Sequence, residues 1–253
     1  MDYPQKPRYS FLDAVKQTQQ PFQPQTSYEK PLVTVDVVLF TLIQGRLKVL
    51  MIKRTSEPYR ECWAVPGGFI NVGETLEEAA FRWLKQRTGV AEIYMEQFAA
   101  FGNPQRDPRA RVITVSYYAL VNDALLPAQP PQEEGHHEEV AWLNVAQLPP
   151  LAFDHDLLIT GALHRIRERL EHSSMAFQLL PKKFTLTQLQ RVYELILDKT
   201  MDKRNFRKKM LATGILKELL GETSMDGFHR PAQLYAFVPT GLEATLPVEG
   251  PLA

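Results

Sequence analysis

The segment GGFINVGETLEEAAFRWLKQRTGV, residues 67–90, constrains the fold of this chain more than any other segment. Thr75 followed by Glu78 is the capping-box pattern of a helix start, and Gly89 is the kind of residue that ends a helix in the left-handed conformation. Between them, apolar residues recur at helical spacing. We therefore predict a helix over 76–88, entered through a tight glycine-containing loop.

Apolar and β-branched runs flank this helix on both sides. VTVDVVLFTL and LKVLMIKR precede it and are separated by the turn-like IQGR, which predicts a hairpin or two adjacent strands. RVITVSYYALV (111–121) and EEVAWLNV (138–145) follow it and alternate like further strands. Because 44% of the 253 residues are hydrophobic, a large buried core is available. We predict an α/β (α+β) domain in which a mixed sheet is layered with helices.

From residue 153 the pattern changes to helix. HDLLITGALHRIRERLEHS repeats an apolar residue every four positions, which predicts a connecting helix. Helical segments at 186–198 and 203–213 and an alternating stretch at 231–237 follow. The predicted organisation is a flexible N-terminal segment, the α/β domain, the connecting helix, a second small domain and a disordered tail. Their predicted bounds are 1–32, 33–152, 153–173, 174–238 and 239–253.

Cysteine content and hydropathy exclude several classes of protein. Cys62 is the single cysteine, so an internal disulfide framework and a cysteine-based zinc site are excluded, and a reducing compartment is indicated. The most apolar segment, 33–43, is too short to span a bilayer and is interrupted by Asp36. We predict a cytoplasmic protein with no membrane role.

Segment 67–90 resembles the Nudix box, which reads G, five residues, E, seven residues, R-E-U-x-E-E-x-G-U, with U an aliphatic residue. The loop WAVPGG before it also resembles that family. The resemblance implies a Nudix-fold sandwich of mixed sheet and helices. Aligned on Gly68, the matching positions are Glu74, Arg82, Leu84, Gly89 and Val90.

The box lacks the glutamates that hold the divalent metal in Nudix hydrolases. Trp83, Gln86 and Arg87 stand in their place. Mg²⁺ needs carboxylate oxygens that converge from one helix face, whereas tryptophan and arginine cannot ligate it and glutamine offers only a neutral oxygen. We therefore predict no catalytic residues, no metal site and no requirement for Mg²⁺, and leave weak residual hydrolysis open.

The remaining acidic residues of the box have structural explanations. Glu78 lies four positions before Arg82, which is the spacing of a stabilising helical ion pair. The family resemblance implies that Glu74 braces the box arginine. The alternative is a relocated metal site built from Glu74, Glu77 and Glu78.

The segment EEGHHEEVAW contains four adjacent residues that can ligate metals: His136, His137, Glu138 and Glu139. Adjacent residues of an extended segment point to opposite faces, so their side chains do not converge. We do not predict a metal site there.

The segment GNPQRDPRARVITVSYYAL, residues 102–120, resembles the R-D-P-R-x-R-x-x-S/T segment of Nudix proteins that act on ADP-ribose. Its arginines concentrate positive charge, and a guanidinium fork matches phosphate oxygens in pairs. The alternative is a solvated basic loop with Asp107 as internal partner. Since the fold can bind without cutting, we predict a ligand pocket in which phenylalanine rings stack on adenine. The predicted ligand-binding residues are Arg54, Gly67, Gly68, Phe69, Phe101, Arg106, Arg109 and Arg111.

Positive charge is concentrated in the second half of the chain. Residues 161–230 contain 14 Lys and Arg against 8 Asp and Glu, a local net charge of +6 in a chain whose total is zero. KTMDKRNFRKKM (199–210) holds six basic residues and one acidic residue, as expected of a surface that neutralises phosphates. At about 100° per residue, its basic side chains share one arc while Phe206 and Met210 face a core. The pattern predicts a recognition helix; an ordinary solvated face is the alternative.

Two capped helices joined by a short turn and followed by a strand resemble a winged helix-turn-helix. Over roughly 33–237 the chain resembles the NrtR-type, Nudix-related transcriptional regulators of NAD metabolism. The resemblance implies a homodimeric repressor of NAD biosynthesis and salvage genes that binds a palindromic operator in double-stranded DNA and releases it when ADP-ribose binds. Arg204 and Arg207 are expected to read guanine edges. The predicted DNA-binding residues are Lys182, Lys183, Thr185, Thr187, Lys203, Arg204, Asn205, Arg207, Lys208 and Arg230.

Three other functions stay open at this point. The first is a Nudix hydrolase of ADP-ribose-type substrates with an unusual metal site, which AMP release with Mg²⁺ or Mn²⁺ would reveal. The second is a Nudix-type regulator that responds to a sugar derivative. The third is a nucleic-acid-binding scaffold with an empty pocket, which calorimetry with ADP-ribose would distinguish.

Overall fold

The computed structural model of the chain describes residues 30–89, 93–126, 139–170, 173–224 and 231–239. A compact unit begins at Leu32, and all the elements below belong to it. Within these ranges, none of the helices is both long and apolar enough to traverse a lipid bilayer. The predicted flexible segment and disordered tail lie outside the described residues except at Lys30–Leu32 and Pro239, and so do Val90, His136, His137, Glu138 and Arg230.

A mixed sheet of seven strands occupies the first half of the described residues. β1 runs parallel to β6, and the other strand pairs are antiparallel. The order is β3-β2-β1-β6-β5, with β4 also paired to β1 and β7 to β2. The predicted β1–β2 hairpin is confirmed, whereas β3, β4 and β5 were not predicted. The strands are β1 Leu32–Ile43, β2 Arg46–Lys53, β3 Trp63–Ala64, β4 Gly67–Phe69, β5 Met95–Phe101, β6 Val112–Leu120 and β7 Val140–Asn144.

Strand β1 supplies two hydrophobic cores because its alternate residues face opposite sides of the sheet. Val37 and Leu39 pack with helix α1, Leu76–Thr88. Val38 and Phe40 pack with helix α2, His155–Leu170. A strand covered on both faces needs a nearly continuous apolar run, which is the pattern seen in its sequence. The predicted layering of sheet and helices is confirmed.

Helix α1 begins and ends where the sequence predicted. The hydroxyl of Thr75 accepts the N–H of Glu78, the Glu78 carboxylate accepts the N–H of Thr75 at 2.8 Å, and Gly89 is left-handed with φ 69°. The suggested ion pair between Glu78 and Arg82 is wrong. Glu78 is used in the cap, because a carboxylate at that position reaches back to the open N–H groups of the first turn.

The second half folds as a helix-turn-helix with a small antiparallel sheet. A 3-10 helix, Ser174–Leu179, follows α2, and the sheet order is β8-β10-β9. This is the arrangement of a winged helix, as predicted. Strand β9, which was not predicted, forms one side of the wing. The elements are β8 Phe184–Thr185, α3 Leu186–Leu197, α4 Lys203–Ala212, β9 Leu216–Ser224 and β10 Ala232–Phe237.

One hydrophobic cluster extends from the sheet into the winged helix. Phe40 of β1 and Ile166 of α2 belong to the same cluster as Tyr193 of α3 and Phe206 of α4. Each of these side chains is at most 2% exposed. Helix α2 is therefore packed on both of its neighbours rather than tethering them loosely. The predicted domain bounds themselves stay predictions.

Candidate functional site

The side chain of Trp83 covers the glycine loop before helix α1. A Cβ atom added at Gly68 would lie 2.3 Å from its Cζ2 atom, so the ring rests on the Gly68 backbone. The indole N–H donates to the Phe69 carbonyl at 3.4 Å, and the guanidinium carbons of Arg82 and Arg87 lie 4.9 and 5.9 Å from the ring centroid. An aromatic ring beside two cations thus occupies a position where a Nudix hydrolase carries a metal-binding carboxylate.

Arg82 and Glu74 form a bidentate ion pair. The Arg82 Nε and Nη2 atoms lie 2.7 and 2.9 Å from the two oxygens of Glu74, and the N–H of Asn71 donates to the same carboxylate at 2.8 Å. The hydrogen bond from Arg82, with help from the Asn71 backbone, lowers the pKa of Glu74 to about 2. The interpretation of Glu74 as the brace of the box arginine is confirmed.

The three glutamates considered for a relocated metal site each have another partner. Glu74 binds Arg82, Glu78 caps its own helix, and Glu77 accepts a hydrogen bond from the Tyr117 hydroxyl at 3.0 Å. Among the described residues, no group of three or more His, Cys, Asp or Glu side chains is arranged to hold a metal ion. Mg²⁺ requires several converging oxygens. The residues present do not fit it.

Arg106 is buried, which does not favour its predicted role as a ligand-binding residue, and that role stays a prediction. Its side chain is 4% exposed and forms two hydrogen bonds to Asp154, at 2.8 and 3.1 Å. A second carboxylate, that of Asp36, lies 3.6 Å away. Two carboxylates therefore neutralise this guanidinium inside the protein.

Arg109 and Arg111 lie closer to solvent than Arg106. Arg109 pairs with Asp107 at 2.7 and 3.0 Å, which is the internal pairing considered above, and this lowers the pKa of the Asp107 carboxyl. Its side chain is nevertheless 46% exposed. Because a guanidinium carries five N–H donors, Arg109 can bind an anion and keep Asp107. Arg111 donates to the carbonyl of Gly102 at 2.7 Å.

The guanidiniums of Arg54 and Arg109 both lie near the ring of Phe153, at 4.8 and 5.7 Å from its centroid. The ring of Tyr59, itself 39% exposed, lies 4.8 Å from that of Phe153. The structure therefore brings two of the predicted ligand-binding arginines together around an aromatic pair. Sequence reasoning missed Phe153 and Tyr59 because neither lies in a motif. The available signal for Phe153 was its position at the start of the predicted connecting helix.

The other predicted ligand residues have mixed environments. Phe69 is 43% exposed and available at the loop surface. A Cβ atom at Gly67 would lie 2.2 Å from the Asp36 carboxylate, so this glycine is required for packing β4 on β1. Phe101 packs against the hydrophobic core and lies edge-on to Phe98, with centroids 6.0 Å apart. This packing does not favour Phe101 as a face for adenine, and its ligand-binding role stays a prediction.

Helix α4 has the two faces that its sequence predicts. The carboxylate of Asp202 caps its start by accepting the N–H of Asn205 at 2.8 Å. Phe206 and Met210 are each 2% exposed and belong to the core. The opposite face presents a polar, mainly basic surface to solvent. Its exposed polar residues are Lys203, Arg204, Asn205 and Lys208, and the exposed Leu211 follows Lys208 on the same face.

A cavity of 460 Å³ lies between the start of α3, helix α4 and strand β10. Arg207 lines it and donates a long hydrogen bond, 3.5 Å, to the hydroxyl of Thr187. The start of a helix carries partial positive charge, so the cavity suits a phosphate oxygen. Arg207 therefore lines this cavity at the start of α3, and its predicted contact with guanine stays a prediction. The predicted DNA-binding residues at the cavity are Thr185, Thr187, Lys203 and Arg207.

The predicted lysines before α3 lie at the surface. Lys182 and Lys183 are both exposed, and Lys183 forms an ion pair with Glu222 of β9. Thr185 is 5% exposed and its hydroxyl caps α3 by accepting the N–H of Gln188 at 3.1 Å. Its main contribution is thus to hold the start of α3 in place at the cavity.

Two family models match the chain. One, described as NUDIX domain, matches residues 30–160. The other, described as NrtR DNA-binding winged helix domain, matches residues 176–237. The two matched segments cover the sheet and the winged helix described above.

Several known proteins are similar to the chain. It is 38% identical over 214 residues to the ADPR responsive transcriptional repressor NtrR of Acinetobacter baylyi, covering 84% of each protein. It is 36% identical over 132 residues to an ADP-ribose pyrophosphatase of Methanocaldococcus jannaschii, covering 52% of this chain and 73% of the relative. The crystal structure of Shewanella oneidensis NrtR complexed with a 27mer DNA matches with a TM-score of 0.71 and 35% identity, covering 81% of this chain and 93% of that one.

Proposed function

The chain belongs to the NrtR-type family of Nudix-domain transcriptional regulators, and from this premise we propose that it is an ADP-ribose-responsive repressor. It binds double-stranded DNA through its winged helix and leaves the DNA when ADP-ribose occupies the Nudix domain. Its operators lie at genes of NAD biosynthesis and salvage, and it acts in the cytoplasm. The A. baylyi relative, named as an ADP-ribose-responsive repressor, supports this because it matches across both halves of the chain.

The observation that carries the proposal is the packing of Trp83 on Gly68. The ring fills a metal-ligand position, and Arg87, 8% exposed, adds a positive charge nearby. Hydrolysis in this family depends on a divalent metal that polarises the diphosphate and activates water. A pocket that retains arginines but lacks the metal ligands binds a nucleotide without consuming it. The protein therefore needs no Mg²⁺ for its function.

The ligand surface that remains is formed by exposed and partly exposed groups that follow β2, end β4 and precede β6. Arg54 and Arg109, gathered at Phe153, are the cations placed to hold the diphosphate of ADP-ribose. Arg111 extends the same basic loop. Phe69 supplies an exposed ring on which adenine can stack.

DNA is bound by helix α4 and the surfaces around it. Arg204 and Asn205 are exposed near the start of α4, the part of a recognition helix that contacts base edges in the major groove. Arg207 and Lys203 hold a phosphate at the 460 Å³ cavity. The remaining exposed lysines, Lys182, Lys183 and Lys208, together with Arg230, neutralise neighbouring phosphates.

The proposed repressor is a homodimer that reads a palindromic operator, since two-fold symmetric proteins pair with two-fold symmetric sites. ADP-ribose releases DNA only by binding the DNA-free arrangement of the dimer better than the DNA-bound one. A ligand of equal affinity for the two arrangements would shift nothing.

The second candidate is an ADP-ribose hydrolase, which the similarity to the M. jannaschii pyrophosphatase favours. That similarity covers the Nudix domain only, and the box residues of this chain do not fit a metal. A sugar effector has no support among the relatives described above, two of which are named for ADP-ribose and none for a sugar.

A gel-shift titration tests the proposed function. The full-length protein is titrated onto DNA from upstream of its own gene and of the neighbouring genes, with and without ADP-ribose. We expect a specific complex that ADP-ribose dissociates and that AMP and ribose 5-phosphate, which lack the diphosphate bridge, do not. Retention of the complex at saturating ADP-ribose, with binding of ADP-ribose verified by calorimetry, would contradict the effector assignment.

A further inference from the structure

Residues 151–155, here called the junction segment, join the sheet to helix α2. The N–H of Ala152 donates to the Trp63 carbonyl at 2.8 Å. The N–H of Val65 donates to Nδ1 of His155 at 3.0 Å. Burial lowers the pKa of His155, which keeps the imidazole neutral and able to accept this bond. Hydrogen bonds at Ala152 and His155, on either side of Phe153 and Asp154, therefore hold the start of α2 against residues 63–65.

The junction segment also forms an ion pair with the loop that carries Arg106, Arg109 and Arg111, here called the arginine loop. The carboxylate of Asp154 accepts hydrogen bonds from Nε and Nη2 of Arg106. The carboxylate of Asp36 in β1 lies 3.6 Å from the same guanidinium. Inside the protein such a pair tolerates little displacement, because removing either charge leaves the other buried without compensation. A shift of the loop that carries Arg106 must move Asp154 with it.

Phe153 has a strained backbone and contacts the two ligand arginines. Its φ angle is 53°, in the left-handed region that residues other than glycine seldom adopt. Its half-buried ring lies against the guanidiniums of Arg54 and Arg109 and the ring of Tyr59. Strain of this kind persists only where surrounding contacts impose it, and it is concentrated at switch regions. The contacts that impose it here include the arginines that a diphosphate would engage.

Helix α2 carries any movement of its first turn to the winged helix. Leu158 and Leu170, near its two ends, share one hydrophobic cluster with the winged helix. At the far end, Nε of Arg167 donates to the Ile196 carbonyl of α3 at 2.7 Å, and the Tyr193 hydroxyl of α3 donates to the Leu170 carbonyl at 3.4 Å. A continuous packed path therefore runs from the ligand arginines to the helix that supports α4.

We infer that the junction segment is the element through which a bound nucleoside diphosphate controls the winged helix. The inference rests on the proposed function and adds the residues that transmit it. A diphosphate accepts bidentate hydrogen bonds from the guanidiniums of Arg54 and Arg109, and this moves both guanidiniums away from the ring of Phe153. Phe153 then changes conformation, and the Arg106–Asp154 pair passes the change to the first turn of α2.

Phe153→Leu tests the inference, because leucine keeps an apolar side chain and removes the ring. DNA affinity is measured by fluorescence anisotropy with and without saturating ADP-ribose, and ADP-ribose affinity is measured by calorimetry. In the wild type we expect ADP-ribose to weaken DNA binding by roughly 5- to 150-fold, the usual range of allosteric coupling. In Phe153→Leu this ratio should fall to within about twofold of one, because the coupling free energy is lost. The affinity for DNA in the absence of ADP-ribose and the affinity for ADP-ribose should both remain.

Two variants serve as controls. Phe81→Leu removes a 42% exposed ring from helix α1, away from the junction segment, and should keep the wild-type ratio. Phe153→Tyr retains a ring at the junction segment and should also keep the wild-type ratio. A wild-type ratio in Phe153→Leu would overturn the inference, and so would loss of ADP-ribose affinity alone, which would make Phe153 part of the binding surface.

Hydrogen exchange of the wild type provides a measurement that does not depend on how any variant folds. ADP-ribose should change the exchange of peptides from the junction segment and the first turns of α2. Change confined to the arginine loop would overturn the inference. A wild type that binds ADP-ribose without any effect on DNA affinity, or binds no ADP-ribose, would instead contradict the proposed function.

Discussion

The indole ring of Trp83 rests on the backbone of Gly68, where an added Cβ atom would lie 2.3 Å from Cζ2 and 2.8 Å from Cε2. Gly68→Ala should lower the free energy of unfolding by about 1–3 kcal/mol, the usual cost of overpacking. In a Trp83→Ala background the same change should cost less, and the strain of a non-glycine residue at φ 157° should remain. Urea denaturation of the four proteins measures both effects. If Gly68→Ala cost the same unfolding free energy with and without the Trp83 ring, the ring would not be what excludes a side chain at position 68.

The residues of the degenerate box predict that ADP-ribose is bound but not cut. With Mg²⁺ or Mn²⁺ present, chromatography should detect AMP release far below the median enzymatic rate of about 10 s⁻¹. The triple change Trp83→Glu, Gln86→Glu and Arg87→Glu supplies three carboxylates on one helix face. It should bind Mn²⁺, seen by electron paramagnetic resonance, where the wild type does not. Rapid wild-type turnover that Glu74→Gln abolishes would make the protein a hydrolase.

The pairing of Glu74 with Arg82 predicts a pH dependence of stability. The folded pKa of Glu74 is about 2, below its ordinary value of 4.5, because Arg82 and the Asn71 backbone donate to the charged form. A depressed pKa stabilises the fold above the ordinary value, and the contribution is lost as pH falls from 4.5 through 2. The difference in unfolding free energy between wild type and Glu74→Gln should be constant above pH 5 and shrink below it. A difference that is independent of pH would contradict the assignment.

Local signals determined which parts of this structure were predictable. The capping box at Thr75 and the apolar stripes of α1, α3 and α4 are patterns within a few residues, and those helices were predicted closely. The short strand β4 has no such pattern, since Gly67 is required by the close approach of Val35 and Asp36 from β1. The sequence resemblance predicts Arg106 at the ligand, whereas the structure pairs it with Asp154, which lies far along the chain, just before helix α2. Long-range charge pairing of this kind has no periodicity to detect.

Exposure of Arg204 at the start of α4 predicts a contact that depends on DNA sequence. Arg204→Ala should weaken operator binding by about 1–3 kcal/mol, the discrimination of one good base contact. It should affect non-specific DNA much less. Arg46→Ala removes an exposed arginine from the first position of β2 and serves as the matched control. Anisotropy titrations on operator and scrambled DNA measure the difference. Equal loss on both DNAs would reassign Arg204 to a phosphate.

The position of Arg207 in the cavity predicts the opposite behaviour. Its side chain lines the space beside Thr187 at the start of α3, where the partial positive charge of the helix favours a phosphate oxygen. Arg207→Met should weaken operator and scrambled DNA alike and reduce the slope of log K against log salt by about 0.9, the value for one phosphate contact. Arg207→Lys keeps the charge without the planar fork, so it should retain most of the slope but not all of the affinity. Calorimetry should give unchanged ADP-ribose binding for both variants, because the cavity lies in the winged helix. If Arg207→Met affected the operator alone and left the salt dependence intact, Arg207 would read a base, as the sequence pattern first indicated.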